Sequence, residues 1–130
     1  MESREDIYGK IKTCLVDVLG VDEEEVEESS ELIEDLGAES IDFVDIIFRL
    51  EKSFGIQIPR GELFPQDFFS NKDYVADGKF TEAGVSTFRQ DYPFIDLKFA
   101  GDDIKVTELS KLYTVKMLVT YVDHKQKQAL

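Results

Sequence analysis

Asp35-Leu36-Gly37-Ala38-Glu39-Ser40-Ile41-Asp42 is the stretch from which the fold can be read. Gly37 marks a short turn, and Ser40 stands where a helix should begin. From Ile41 to Phe54 apolar residues recur at helical spacing in two stripes. One is Ile41, Val44 and Phe48; the other is Phe43, Ile46, Ile47, Leu50 and Phe54. Asp42, Asp45 and Arg49 fall on the remaining face. A single helix thus offers more apolar surface than one core contact needs, with a serine at its positive end. Free N–H groups and the helix dipole favour negative charge there, so a phosphate ester on Ser40 would be well placed. Taken alone, a serine at a helix start is most often just an N-cap.

The segments on either side follow the same pattern. Ser3 can cap a first helix, with Glu5 and Asp6 favourable in its first turn. Its apolar stripe is Ile7, Ile11, Cys14, Leu15, Val18 and Leu19, and Gly20 ends it. Residues 21–39 form an acidic connection anchored by Val21, Val26, Leu32, Ile33 and Leu36. Asp22 to Glu28 holds six acids in seven residues, a solvated face in the ordinary case. The alternating ligands and central glycine of a calcium loop do not line up there, and no metal site is expected. After Gly55, Ile56 and Ile58 flank Gln57 ahead of Pro59, a short extended segment that can tuck two side chains into the core.

Leu36-Gly37-x-x-Ser40-Ile41-Asp42, followed by Phe54-Gly55-Ile56-Gln57-Ile58-Pro59, resembles an acyl carrier protein. The resemblance covers roughly residues 4–64 and 108–124. It implies an all-α, acyl-carrier-like four-helix bundle and a 4′-phosphopantetheine arm on Ser40, whose thiol holds acyl chains. It also implies docking through the central helix and the loop before it. Asp35, Glu39, Asp42, Asp45 and Glu51 match the acidic contacts, and Ile41, Val44 and Phe48 the apolar ones. The implied partners are a phosphopantetheinyl transferase (holo-carrier synthase) and acyl-processing enzymes such as a ketosynthase, reductases and acyltransferases. Two departures stand out. The family usually has Asp-Ser-Leu where this chain has Glu39-Ser40-Ile41, and Arg49 and Lys52 interrupt a helix that is otherwise strongly acidic in the family. The first keeps charge and apolar character, so modification should survive it; the second suggests a dedicated partner set. The expected pathway is specialised fatty-acid or lipid biosynthesis. Peptidyl and polyketide carriers share the serine motif and stay open as alternatives, as does a carrier-like interaction protein that is never modified.

Between residues 65 and 107 the carrier pattern pauses. Phe68, Phe69, Tyr74, Phe80, Phe88, Tyr92, Phe94 and Phe99 crowd this stretch, which solvated linkers do not do. The expectation is an ordered insertion within one domain spanning residues 1–130. Inside it, Thr81 caps a short helix that Pro93 stops, with Val85 and Phe88 on one face. Alternation of Ile95, Leu97 and Phe99, then Ile104 and Val106, suggests a small β-hairpin. A helical turn over 107–112 leads to Thr114, the cap of a last helix whose core face is Val115, Leu118, Val119 and Val122.

Composition narrows the rest. With 28 acidic and 15 basic residues among 130, the formal charge of −13 repels nucleic acid and anionic membranes and attracts proteins with basic patches. No apolar run approaches a membrane span, and the start carries no signal-peptide layout, so a cytoplasmic monomer without stable membrane insertion is expected. The single cysteine, Cys14, excludes an intramolecular disulfide and sits in an apolar stripe. A cysteine hydrolase using Cys14 and the only histidine, His124, is the rival enzymatic reading; the expectation is that the chain is no enzyme.

Overall fold

The computed structural model describes residues 3–59, 63, 71–92 and 113–128. Among the described residues four α-helices carry the architecture: α1 (Arg4–Leu19), α2 (Ser40–Phe54), α3 (Glu82–Asp91) and α4 (Val115–Gln128). A two-stranded antiparallel sheet, β1 (Val75–Ala76) with β2 (Lys79–Phe80), precedes α3. This is an acyl-carrier-like helical bundle with an insertion before its last helix.

Local chemistry sets the helix boundaries. The Ser3 hydroxyl accepts from the Asp6 N–H (3.2 Å) and the Asp6 carboxylate accepts from the Ser3 N–H (3.4 Å), a reciprocal capping box. Thr81 Oγ1 accepts from the Gly84 N–H at 3.0 Å, and Thr114 Oγ1 from the Met117 N–H at 3.2 Å, so both expected threonine caps are in place. α1 and α2 end at Gly20 and Gly55, both left-handed.

Packing separates the two stripes of α2. Ile46, Leu50 and Phe54 are buried, with Phe43 and Ile47 packed beside them, whereas Ile41, Val44 and Phe48 face outward. α1 contributes Ile7, Ile11 and Leu15, and lies against both α2 and α4. From α4 the expected Val115, Leu118, Val119 and Val122 are buried; Met117 and Tyr121 are buried too, so this helix is enclosed on more sides than its sequence stripe suggested.

Residues 21–39 are anchored by buried Val26, Leu32 and Leu36, while Asp22 to Glu25 lie exposed around a single 3₁₀ turn, Glu23–Glu25. The buried hydroxyl of Ser30 is satisfied: it accepts from the Glu27 N–H (2.9 Å) and donates to the Glu25 carbonyl (3.2 Å). The connection is tied to the start of α4 by three main-chain bonds. Leu32 N–H donates to Tyr113 C=O (2.9 Å), Val115 N–H to Ser30 C=O (3.0 Å) and Lys116 N–H to Glu28 C=O (2.9 Å).

The described part of the insertion, 71–92, also holds a small hairpin that was not expected from the sequence. The small hairpin lies at 75–80, where Val75 pairs with Phe80 and Ala76 with Lys79 around Asp77-Gly78. Both turn residues have positive φ (54° and 75°), the primed-turn geometry that matches strand twist. The hairpin expected from 95 to 106, the helical turn at 107–112 and Pro93 lie outside the described residues. α3 matches the reading of Thr81, Val85 and Phe88: Phe88 is fully buried and belongs to the same cluster as Ile46 and Tyr121.

Candidate functional site

The turn before Ser40 is built from backbone bonds. Leu36 N–H reaches Glu31 C=O (3.1 Å), Gly37 N–H reaches Ile33 C=O (3.0 Å) and Ala38 N–H reaches Leu32 C=O (2.8 Å). Gly37 sits at φ 72°, a left-handed conformation that side-chain-bearing residues avoid. Leu36 and Ala38 are buried on either side of it, so the turn cannot drift from the bundle. Because this segment is also bonded to residues 113–116, the start of α2 is positioned from the far end of the chain.

Ser40 is the first helical residue of α2, and Glu39 is the N-cap in extended conformation (φ −111°, ψ 169°). The ordinary capping reading of Ser40 is therefore corrected: the cap lies one residue earlier. The reason is Asp42. Its carboxylate, at the third helical position, accepts from the Glu39 N–H at 2.8 Å and holds Glu39 outside the helix. The Ile41 N–H has no acceptor among the described residues, the usual state of a first-turn amide and a favourable one for an anion at this end.

Behind the serine, Ile41, Val44 and Phe48 are 75%, 69% and 53% exposed, an apolar row on a helix whose opposite side is already packed. Exposed large hydrophobes in one line mark an interaction surface. The acids around them hold internal positions as well. Asp35 accepts from the Glu31 N–H (2.8 Å), and Glu51 accepts from the Ile58 N–H (3.0 Å), which ties the extended segment after α2 back to the helix. Asp45 lies 3.5 Å from Arg49, as its i,i+4 spacing suggested, and Arg49 is also 3.6 Å from Asp17. These internal bonds of Asp35, Asp42 and Glu51 were missed in the sequence. The acid-to-amide spacings of three and four residues at Asp42 and Asp35 were visible there, but the seven-residue reach of Glu51 was not.

Cys14 and His124 do not form a catalytic pair. Burial pushes the Cys14 thiol up to about 11, against a smaller lowering by Arg49, so it stays protonated near neutrality. His124 is exposed with its Nε2 3.1 Å from Gln128 Nε2, and no hydrogen bond joins it to Cys14. An open groove of about 720 Å³ between α1 and α2 is lined by Lys10, Thr13, Cys14, Asp17, Arg49 and Lys52, among others. Its charged rim does not suit an acyl chain. No cluster able to hold a metal ion exists among the described residues, and no described helix is long and apolar enough to cross a membrane.

A bundle that presents a serine-headed, apolar and acidic helix on a fixed turn belongs to the class of carrier domains. Comparison with known proteins gives the family. The profile of the phosphopantetheine attachment site matches residues 9–67. The chain is 44% identical over 63 residues to the acyl carrier protein of Thermotoga maritima, covering 48% of this chain and 78% of that one. It is 44% identical over 54 residues to the acyl carrier protein of Sinorhizobium fredii, covering 42% and 69% respectively. The chain belongs to the acyl carrier protein family. Its prosthetic group is 4′-phosphopantetheine, and its role is carriage of a group for other enzymes, not catalysis.

Proposed function

We propose that Ser40 carries the 4′-phosphopantetheine arm and that the chain shuttles acyl intermediates as thioesters for a specialised branch of fatty-acid or lipid biosynthesis. The observation that carries this reading is the position of Ser40. It opens α2 directly after the Leu36-Gly37 turn, beside the outward row of Ile41, Val44 and Phe48. A phosphodiester there would face first-turn amides and the positive end of the helix dipole. The arm's terminal thiol would form the thioester, which keeps the acyl group activated for condensation, reduction or transfer. The protein supplies the address: Asp35, Glu39, Asp42 and Asp45 steer basic partner surfaces, and the apolar row seats them.

The specialised branch is supported by the stretch of about 65–107, which begins where the attachment-site match ends at residue 67 and whose described part packs into the bundle core. We take residues 1–130 as one folding domain for the same reason. A phosphopantetheinyl transferase and the acyl-processing enzymes named above are the partners in this reading, and the cytoplasm is the compartment.

Intact mass after incubation with coenzyme A and a broad-specificity transferase tests it. One phosphopantetheine should be added to the wild type and none to Ser40→Ala. A modified Ser40→Ala protein would move the site elsewhere. An unmodified wild type would make the chain an interaction protein that never gains an arm. Because Glu39 and Asp42 cap α2, Ser40→Ala should melt close to the wild type.

A further inference from the structure

Ile41, Val44, Phe48 and Lys52 follow one another at steps of three or four residues, so they form a single exposed ridge along α2. At 1.5 Å per residue it is about 16 Å long. Charge along it is split. Glu39 and Asp42 stand at the serine end. At the other end Lys52 is exposed, its Nζ lies 4.7 Å from the Phe48 ring centroid, and no carboxylate pairs with it among the described residues. Glu5, Asp6 and Asp17 line the groove it borders, but none forms an ion pair with it. Arg49 is occupied by Asp45 and Asp17, which also draws Asp45 away from the acidic end. Glu51 is half-buried on the Ile58 N–H. The ridge thus ends in an exposed cation seated on an exposed aromatic ring and unpaired among the described residues, in a chain whose net charge is −13.

We propose that Lys52, seated on Phe48, is a specificity-determining residue of the docking face. It selects enzymes whose carrier-binding surface presents cations opposite the serine end and a carboxylate about 16 Å away, and it rejects surfaces that are basic along their whole length. A carboxylate opposite Lys52 would complete the ammonium as the Phe48 ring is covered. A cation there would meet a like charge, the repulsive element by which interfaces exclude wrong partners. A second copy of this chain is a poor occupant, because each copy carries −13 and long-range repulsion opposes their approach. The proposal rests on the carrier reading of Ser40.

The test uses the full apo chain and a fatty-acid-pathway holo-carrier synthase with a uniformly basic carrier-binding surface. The readout is kcat/KM for modification at low and high salt. Lys52→Glu should raise it about two- to five-fold at low salt relative to Lys116→Glu, an equal charge change at an exposed position of α4. Lys52→Gln should fall between, and the differences should vanish at high salt. In a second arm, basic residues of the synthase surface are changed to Glu one at a time. One such change should invert the ranking, so that wild type is modified faster than Lys52→Glu. Equal rates for Lys52→Glu and Lys116→Glu overturn the proposal, as does failure of every synthase variant to invert the order. Sedimentation showing a wild-type dimer that Lys52→Glu dissolves would assign the face to self-association and overturn it too. If no variant is modified at all, the carrier reading itself falls, an outcome distinct from modification with unchanged rates.

Discussion

Truncating Phe88 tests whether the inserted stretch and the bundle share one core. The Phe88 side chain is fully buried in α3, its ring centroid 5.4 Å from that of Phe80 and 4.9 Å from that of Tyr92. Phe88→Ala removes the ring and leaves a cavity, at a typical cost of about 3–5 kcal/mol. Each tilted ring pair adds roughly 0.5–1.5 kcal/mol beyond area, which places this site in the upper half of that range. Against a total of about 5–15 kcal/mol for a domain, the loss is large and corresponds to a melting shift of roughly 10–20 °C for a chain of this length. Because Phe88 belongs to the cluster that holds Ile46, Leu118 and Tyr121, the protein should still melt in one transition, earlier than the wild type. Calorimetry gives the midpoint, and amide exchange of α2 gives the coupling: protection of Ile46 and Leu50 should drop together with that of α3. An α2 that keeps full protection while α3 exchanges freely would refute the shared core.

Two further perturbations probe local claims. A Cβ on Gly84 would meet the backbone carbonyl of Tyr74, whose oxygen is fixed by the Thr81 N–H at 2.9 Å. Gly84→Ala should therefore lose roughly 1–3 kcal/mol to overpacking, although alanine is worth about 1 kcal/mol over glycine within a helix; a stabilised variant in denaturant titration would contradict the geometry. Cys14 should react slowly with a thiol reagent at pH 8 when folded and rapidly in denaturant. Since folding raises its pKa from 9.0 to about 11, the thiol's contribution to stability is intact below pH 9 and falls as pH rises toward 11. Equal labelling rates in the two states would place the thiol in open solvent.

Much of the bundle was legible because its signals are local. The Ser3, Thr81 and Thr114 caps, the stops at Gly20 and Gly55 and the two stripes of α2 each depend on residues within one or two turns. What escaped depends on distant groups or on a weighting of signals. Tyr121 and Met117 look peripheral to the stripe of α4, yet both are buried. The Asp77-Gly78 pair between Val75-Ala76 and Lys79-Phe80 was a readable hairpin signal, but strands of two residues offer almost no alternation. The N-cap of α2 was assigned one residue late because serine is the commoner cap. The Asp42 carboxylate makes Glu39 the cap by binding its backbone N–H.

The internal bonds of the acids bear on the docking proposed for this face. Asp35, Asp42 and Glu51 each commit one carboxylate oxygen to a backbone N–H at 2.8–3.0 Å, and Asp45 leans on Arg49. A carboxylate has lone pairs to spare, so an approaching cation can still bind. It finds these side chains already held, so less rotamer freedom is lost on docking than at a free surface carboxylate. The same fact makes charge-reversal experiments ambiguous at these positions. Asp42→Lys removes a proposed docking acid and the partner of the Glu39 N–H together, so slower modification would reflect a frayed helix start or lost steering. Salt separates the two, because steering is screened while a lost cap is not. A rate penalty for Asp42→Lys that shrinks as salt rises belongs to docking; the part that persists belongs to the turn that presents Ser40.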